Sequence, residues 1–232
     1  MLLSRPMRRT EPRSELPRYA AYAAFVIAAA ATVFSFVSVT REGELRRRCA
    51  PTCLLRPSYA GYKKVAPSFK LHDLRGHEVS LDDYRGKVVV LNFWTRTCGP
   101  CLEEMPDVAD LAKILRPMKD VAVITVSTDD DEKEVVDTLR SVLKEEAPFP
   151  VLMDPDSKIV GGKYGTTLFP ETWIIDKKGV IRARFDGARE WSHATVVEYI
   201  EQIRAGGYCP VDADQGHLSG EGARLCESVT GG

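Results

Sequence analysis

The stretch that most constrains the fold of this chain runs from Lys87 to Pro106, KVVVLNFWTRTCGPCLEEMP. It begins with a continuous apolar run that has the length and β-branched character of a strand buried on both faces. A short polar turn follows, and the sequence Cys-Gly-Pro-Cys at residues 98–101 then opens a predicted helix. Two cysteines therefore stand where a buried strand passes into the first turn of a helix.

This position favours a reactive thiolate, because the first helical turn has unpaired N–H groups and the positive end of the helix dipole. Cys98 is predicted to be the more exposed sulfur and the nucleophile, and Cys101, one turn later, to be the resolving thiol. A structural disulfide and half of a zinc site are the alternatives. The sequence holds no second Cys-x-x-Cys pair to complete a zinc site, so we predict a redox-active disulfide and no metal.

Residues from about 66 to 205 resemble the membrane-anchored, extracytoplasmic thioredoxin-like proteins of the TlpA/ResA/DsbE family. The resemblance is carried by APSF at 66–69, the hairpin LRGHEVSLDDYRGK, and the motifs VVVLNFW, CGPCLEEMP and LFPETWIIDKKGVI. It implies an α/β thioredoxin-like fold with an N-terminal β-hairpin extension and a central helix and strand insertion. It also implies a thiol–disulfide oxidoreductase that uses no cofactor.

The same resemblance assigns substrate-binding roles around the two cysteines. Pro170 occupies the place of a proline that is cis in the family and lies against the redox pair. Phe169, just before it, would offer its backbone to an extended client segment. Gly99 and Pro100 match the pair between the cysteines of reducing thioredoxins and would also contact the client. A simple turn proline at position 170 is the alternative interpretation.

Glu104 is three residues after Cys101 and therefore lies on the same helical face, one turn along. By resemblance it matches an active-site glutamate of the ResA-like branch. If it is partly buried, its pKa would be raised and it could move protons to or from Cys101. An ordinary solvated glutamate is the alternative. Asn92 stands where thioredoxins carry an aspartate, and because an amide cannot transfer protons, the role of Glu104 or of water gains importance.

The N-terminal region predicts a single membrane anchor. Residues 1–18 form a polar, arginine-rich tail, and residues 19–39 carry no charge, a length that fits the roughly 20 residues needed to cross a bilayer. A cleaved signal peptide is the alternative, although the apolar part exceeds the usual length of about 7 to 15 residues. Arginines flank the segment almost equally, so the distribution of positive charge does not determine its orientation. The resemblance and the cysteine content instead place the C-terminal domain on the extracytoplasmic side of the inner membrane.

Four further cysteines lie outside the predicted thioredoxin-like region: Cys49, Cys53, Cys209 and Cys226. The first two belong to a connector, residues 40–65, in which Pro51 argues against a regular helix. The other two belong to a Gly-rich tail, residues 206–232, for which we predict little regular structure. Structural disulfides are expected, within the connector or to the tail, and the sequence does not choose among the pairings. This cysteine usage suits an oxidising compartment.

Periodicity predicts the other elements of the soluble region. An amphipathic helix over 131–146 and a strand near 149–153 form the insertion, and a second helix is expected near 156–164. An antiparallel hairpin should turn at 177–179, and a terminal helix should span 192–204. Before that hairpin, strand and helix alternate, which favours parallel strand pairing with helices on both faces.

These observations predict a membrane-tethered thiol–disulfide oxidoreductase that reduces extracytoplasmic protein disulfides. By resemblance, its partners would be protein disulfide or dithiol substrates of cytochrome c maturation or copper-site assembly, and a DsbD/CcdA-like electron donor in the membrane. The net charge of −1 provides no basic field for nucleic acid.

Two alternative functions remain open at this point. Thr95-x-x-Cys98 is similar to the Thr-x-x-Cys of peroxiredoxins and would indicate a thiol peroxidase, although Leu91 stands where those enzymes carry a proline. A copper carrier is the second alternative, because thiolates at Cys49 and Cys53 would select Cu(I).

Overall fold

The computed structural model describes residues 15–215 and 217–229. Most of the predicted N-terminal tail and the last three residues of the predicted C-terminal tail lie outside the described residues. The chain divides into two compact units, Met1–Glu44 and Leu45–Gly232.

Helix α1 spans Leu16–Leu55. Its first part carries the apolar sequence, with a mean hydropathy of 2.1 in the most apolar window, and those side chains are exposed. In the described part of the chain it is the one helix long and apolar enough to cross a membrane.

The expectation that Pro51 interrupts the connector is wrong, because α1 continues through it. Proline at this position cannot donate to the carbonyl of Arg47, four residues earlier. The Gln202 amide lies 3.5 Å from that carbonyl oxygen and compensates in part for the missing donor. The connector is therefore helical up to Leu55.

The Leu45–Gly232 unit is built around one mixed sheet whose strands are β1 (Tyr59–Ala60), β2 (Lys70–Asp73), β3 (Glu78–Ser80), β4 (Val88–Trp94), β5 (Val121–Ser127), β6 (Val151–Met153), β7 (Glu171–Ile175), β8 (Ile181–Asp186), β9 (Asp212–Asp214) and β10 (His217–Ser219). The helices after α1 are α2 (Gly99–Leu115), α3 (Glu132–Leu143), α4 (Ala194–Arg204) and α5 (Ala223–Val229), with a 3₁₀ turn at Leu81–Tyr84. The strand order is β10-β9-β1-β8-β7-β4-β5-β6-β2-β3.

Strand β4 is central and all seven of its residues are buried, as its apolar run predicts. It pairs in parallel with β5 and antiparallel with β7, while β7 and β8 form the predicted antiparallel hairpin. One face of the sheet packs against α2 and α4, and a second apolar cluster covers the other face. The predicted α/β architecture is confirmed, including the β2–β3 hairpin and the inserted α3 and β6.

The helix expected near residues 156–164 does not form, and a series of turns replaces it. The buried carboxylate of Asp154 accepts backbone N–H groups from Lys158, Ile159 and Val160 at 2.8–3.1 Å. These side-chain hydrogen bonds give the backbone an alternative to regular helix.

The C-terminal tail also differs from the expectation of little regular structure. It forms β9, β10 and α5, and β9 pairs with β1, which itself pairs with β8. The connector and the tail thus extend the central sheet beyond β8. These added strands are short and lack a clear apolar alternation, so the sequence did not predict that they pair.

Candidate active site

The two cysteines of the Cys-Gly-Pro-Cys sequence form a disulfide at the start of α2. Cys98 is the N-cap of this helix, and its sulfur accepts a hydrogen bond from the backbone N–H of Cys101 at 3.2 Å. Cys101 is fully buried, whereas Cys98 is partly exposed. A client can therefore reach the sulfur that also lies at the positive end of the helix dipole.

The loop before β7 lies at the same end of the sheet. The Phe169–Pro170 peptide bond is cis, as the resemblance predicts. Glu171, the next residue, pairs with Phe93 near the end of β4, so Pro170 lies across from the point where β4 leads into the cysteine loop. Gly99 and Pro100 are exposed, and Leu168 is 81% exposed. This end of the sheet thus presents an accessible surface with an apolar side chain at its rim.

Glu104 is buried, with 3% of its surface exposed, so the alternative of a solvated glutamate is wrong for this structure. Its Oε1 accepts a hydrogen bond from Asn92 Nδ2 at 2.8 Å, and its Oε2 accepts one from Trp191 Nε1 at 2.8 Å. The backbone N–H of Arg189 also donates to Oε2, at 3.1 Å. The carboxyl is therefore fixed by three donors, one from β4 and two from the loop between β8 and α4.

The pKa of Glu104 is raised above its ordinary value because burial removes its carboxylate from water. Hydrogen bonds from Trp191, Asn92 and Arg189 oppose this rise, since they stabilise the charged form, and so does the positive charge of Arg189. The net result is a buried acid, one helical turn from Cys101, that can take up and release a proton closer to neutral pH than a surface glutamate.

Sequence reasoning missed the contribution of Arg189 and Trp191. Both belong to the loop between β8 and α4, 85 and 87 residues from Glu104 in sequence. A buried tryptophan needs a partner for its indole N–H, but the sequence contains no signal that identifies Glu104 as that partner.

Asn92, which stands where thioredoxins carry an aspartate, donates its second N–H to Thr172 Oγ1 at 2.9 Å.

The loop between β4 and the cysteines is held by Asp129, which is 7% exposed. Its carboxylate accepts hydrogen bonds from the Thr95 hydroxyl at 2.8 Å and the Arg96 backbone N–H at 2.9 Å. The Ser127 hydroxyl donates to the same group at 2.6 Å. Because the Thr95 hydroxyl hydrogen is directed to Asp129, it is not available to a peroxide at Cys98, which weakens the peroxidase alternative.

A second buried carboxyl, Glu171, follows the cis proline. It accepts a hydrogen bond from Trp173 Nε1 at 2.7 Å and another from the Thr166 hydroxyl. Burial raises the pKa of Glu171, and these hydrogen bonds and Arg184 oppose the rise. Residues 171 and 172 point to opposite faces of β7, so Glu171 lies on the face away from Thr172 and Glu104.

The outer cysteines join the end of α1 to the C-terminal tail. Cys49 is bonded to Cys209 and Cys53 to Cys226, so neither pair is closed within the connector. These sulfurs form a small buried cluster in which only Cys209 is partly exposed. In this state Cys49 and Cys53 offer no thiolates to copper. Within the described ranges, no group of three or more His, Cys, Asp or Glu residues could hold a metal ion.

The mixed sheet, the Cys-x-x-Cys disulfide at the start of α2 and the cis proline before β7 together define a protein of the thioredoxin-like class. The solved thioredoxin domain of a thiol-disulfide oxidoreductase from Bacteroides vulgatus has this fold. It aligns with 26% identity and a TM-score of 0.52, and it covers 62% of this chain and 97% of that domain.

The chain belongs to the AhpC/TSA family, whose model matches residues 62–184. The thiol-disulfide oxidoreductase ResA from Bacillus thuringiensis subsp. konkukian is 33% identical over 60% of this chain and 77% of its own length. The thioredoxin-like protein YneN from Bacillus subtilis is 39% identical over 50% of this chain and 66% of its own length. The chain is therefore a thiol–disulfide oxidoreductase with protein thiols as its class of substrate.

Proposed function

We propose that this oxidoreductase is a membrane-tethered reductase and that Cys98 and Cys101 carry its chemistry. The observation that supports this most directly is the geometry of the pair. An accessible sulfur caps a helix, a buried sulfur lies one turn behind it, and a buried carboxyl lies one turn further along. These are the parts that a dithiol needs in order to attack, resolve and transfer protons.

In the proposed reaction the Cys98 thiolate attacks one sulfur of a client disulfide. The client S–S bond breaks, its other sulfur leaves as a thiolate that takes up a proton, and a mixed disulfide forms. Cys101 then loses its proton and attacks the Cys98 sulfur, which releases the second client thiol. The client gains two electrons and two protons, and the enzyme is left with the Cys98–Cys101 disulfide.

Glu104 is proposed to accept the proton from Cys101 in the second step. Since Cys101 is fully buried, a thiolate formed without a nearby acceptor for its proton would be costly among apolar side chains. The Asn92 amide, whose Oδ1 has no hydrogen-bond partner among the residues that the structure describes, supports this role. Rotating the amide would direct Oδ1 toward a protonated Glu104, so the site can accommodate both forms of the acid.

Substituting glutamine for Glu104 should slow the resolution of the mixed disulfide by about 100-fold, the lower end of general-base contributions. In the unsubstituted protein this rate should rise with pH through the raised pKa of Glu104, because the carboxylate is the active form. The E104Q variant should lack this rise. Quenched-flow measurement of mixed-disulfide decay between pH 4 and 8 provides the profile.

Glu103→Gln is the matched control, since Glu103 is exposed on the same helical turn. It should retain both the rate and the pH profile. An E104Q profile that still rises with pH would contradict the proton-transfer role.

The client is proposed to bind as an extended segment against the backbone of Phe169, beside Pro170, Gly99 and Pro100. Exposure of Gly99, Pro100 and Leu168 supports this, because nothing in the described chain covers that surface. Leu168 would contact an apolar side chain near the client cysteine.

The first part of α1 is proposed to be a single-pass anchor in the inner membrane, with the remainder of the chain on the extracytoplasmic side. Its apolar length and the two outer disulfides support this placement. A DsbD/CcdA-like dithiol carrier in the membrane would return electrons to Cys98. A reporter domain fused after Gly232 should be active only outside the cytoplasm, and activity inside would refute the orientation.

The reduction potential of the Cys98–Cys101 pair tests the reductive direction. We expect about −250 mV or lower, near the value of thioredoxin, when the protein is equilibrated with dithiothreitol and glutathione buffers. A potential near about −120 mV would instead indicate an enzyme that introduces disulfides. In that case the assignment to cytochrome or copper-site maturation would be withdrawn.

A further inference from the structure

Arg189 connects the Glu104 carboxyl to the end of α1, two features that the proposed reaction does not itself relate. Its backbone N–H donates to Glu104 Oε2 at 3.1 Å, and its Nη1 donates to the carbonyl oxygen of Leu55 at 2.8 Å. Its guanidinium also lies over the Phe185 ring, 4.8 Å from the ring centre. The side chain is thus fixed between the candidate proton acceptor and the end of α1.

Leu55 is the last residue of α1. The final carbonyl groups of a helix have no partner within the helix and carry the negative end of its dipole. A guanidinium at this point satisfies one of these carbonyls and neutralises part of the dipole. The two outer disulfides fasten the same end of the helix to the C-terminal tail through Cys49 and Cys53.

The groups around the Glu104 carboxyl come from several elements. Asn92 belongs to β4, Trp191 and Arg189 belong to the loop after β8, and Cys101 belongs to α2 itself. Arg189 is the charged group that acts on Glu104, and Asp186 acts in turn on Arg189. Burial lowers the pKa of Arg189, but an arginine stays protonated in proteins, so this charge is permanent.

We propose that Arg189 is a positioning residue for the redox reaction: the disulfide-fastened end of α1 holds its side chain, and this fixes the backbone N–H that it donates to Glu104. This inference rests on the proposed role of Glu104. It assigns a function to the outer disulfides beyond stability, because they fix the carbonyl that orients the guanidinium.

The test compares Arg189→Gln with Arg189→Lys in the full chain in detergent micelles. Glutamine removes the charge and is too short to reach the Leu55 carbonyl, whereas lysine keeps both the charge and a donor of similar reach. The titration midpoint of Glu104 is read directly from its side-chain carboxyl resonance in protein labelled with ¹³C at that carbon. The pH profile of mixed-disulfide resolution is recorded in parallel.

We expect R189Q to raise both midpoints by about one pH unit, because the variant loses the positive charge and also the contact with Leu55 that fixes the N–H donor to the Glu104 carboxylate. R189K should keep both midpoints close to those of the unsubstituted protein. Arg204→Gln is the matched control: Arg204 is a partly buried arginine paired with Asp120, next to the start of β5 and so at the opposite end of the sheet. It should leave both midpoints unchanged.

An unchanged carboxyl midpoint in R189Q would overturn the role of Arg189, whatever the kinetics show. A shifted carboxyl midpoint together with an E104Q variant that resolves normally would instead overturn the proposed role of Glu104 and leave the electrostatic link intact. Should R189Q fail to fold, Arg189→Met supplies a second neutral variant with the same expected shift.

Discussion

Replacing Cys98 with serine should lower the rate of client disulfide reduction by at least about a thousandfold. A serine hydroxyl does not ionise near neutral pH, and the thiolate is the attacking species in disulfide exchange. Removing the nucleophile of an enzyme typically costs several orders of magnitude in rate. The measurement is the reduction of a disulfide-bonded peptide by the purified full-length protein, with dithiothreitol as the electron source and the uncatalysed rate subtracted.

Cys101→Ser is the informative partner of this variant. It keeps the attacking sulfur and removes the resolving one, so a mixed disulfide between Cys98 and the peptide should accumulate and be visible as added mass. A C98S variant that keeps a substantial share of the activity, or that traps the peptide through Cys101, would show that the accessible sulfur is not the nucleophile.

The second large effect concerns the outer disulfides, whose contributions should be strongly non-additive. Each bridge closes a long loop, with sequence separations of 160 and 173 residues. When one bridge is intact, the other closes an additional loop of only roughly 20 residues. Chain-entropy reasoning then predicts that removing either bridge lowers the free energy of unfolding by about 3 kcal/mol, and that removing both lowers it by about 8 kcal/mol.

Paired serine substitutions test this while keeping both cysteines of the redox pair. Cys49→Ser with Cys209→Ser, Cys53→Ser with Cys226→Ser, and the quadruple variant are compared by denaturant unfolding. Tryptophan fluorescence is a suitable signal, because all three tryptophans lie between residues 94 and 191. The account of two overlapping loops would be contradicted if the losses of unfolding free energy in the two paired variants added up to the loss in the quadruple variant.

The thioredoxin-like region was predictable because its signals are local. A β-branched run gave β4, the Cys-Gly-Pro-Cys sequence gave the start of α2, and the spacing of Glu104 from Cys101 gave their common face. The resemblance supplied the cis proline at position 170. Each of these signals lies within a few residues of the feature that it predicts.

The parts that escaped prediction depend on contacts between distant segments. Arg189 and Trp191 contact Glu104 from more than eighty residues away, and no periodic pattern encodes that contact. Pro51 lies within a helix in which the Gln202 amide, 155 residues from Arg47, compensates in part for the missing donor. The turns near residue 158 exist because a single buried carboxylate, Asp154, outcompetes a helical pattern.

The pairing of the outer cysteines has a consequence for how the protein matures. Cys49 leaves the ribosome long before Cys209 and Cys226, so neither bridge can close until almost the whole chain has been made. Closing them requires an oxidant, whereas the proposed catalytic cycle requires Cys98 and Cys101 to be reduced. A newly made chain must therefore accept two disulfides from an oxidising pathway, while its Cys98–Cys101 pair is supplied with electrons by a reducing one.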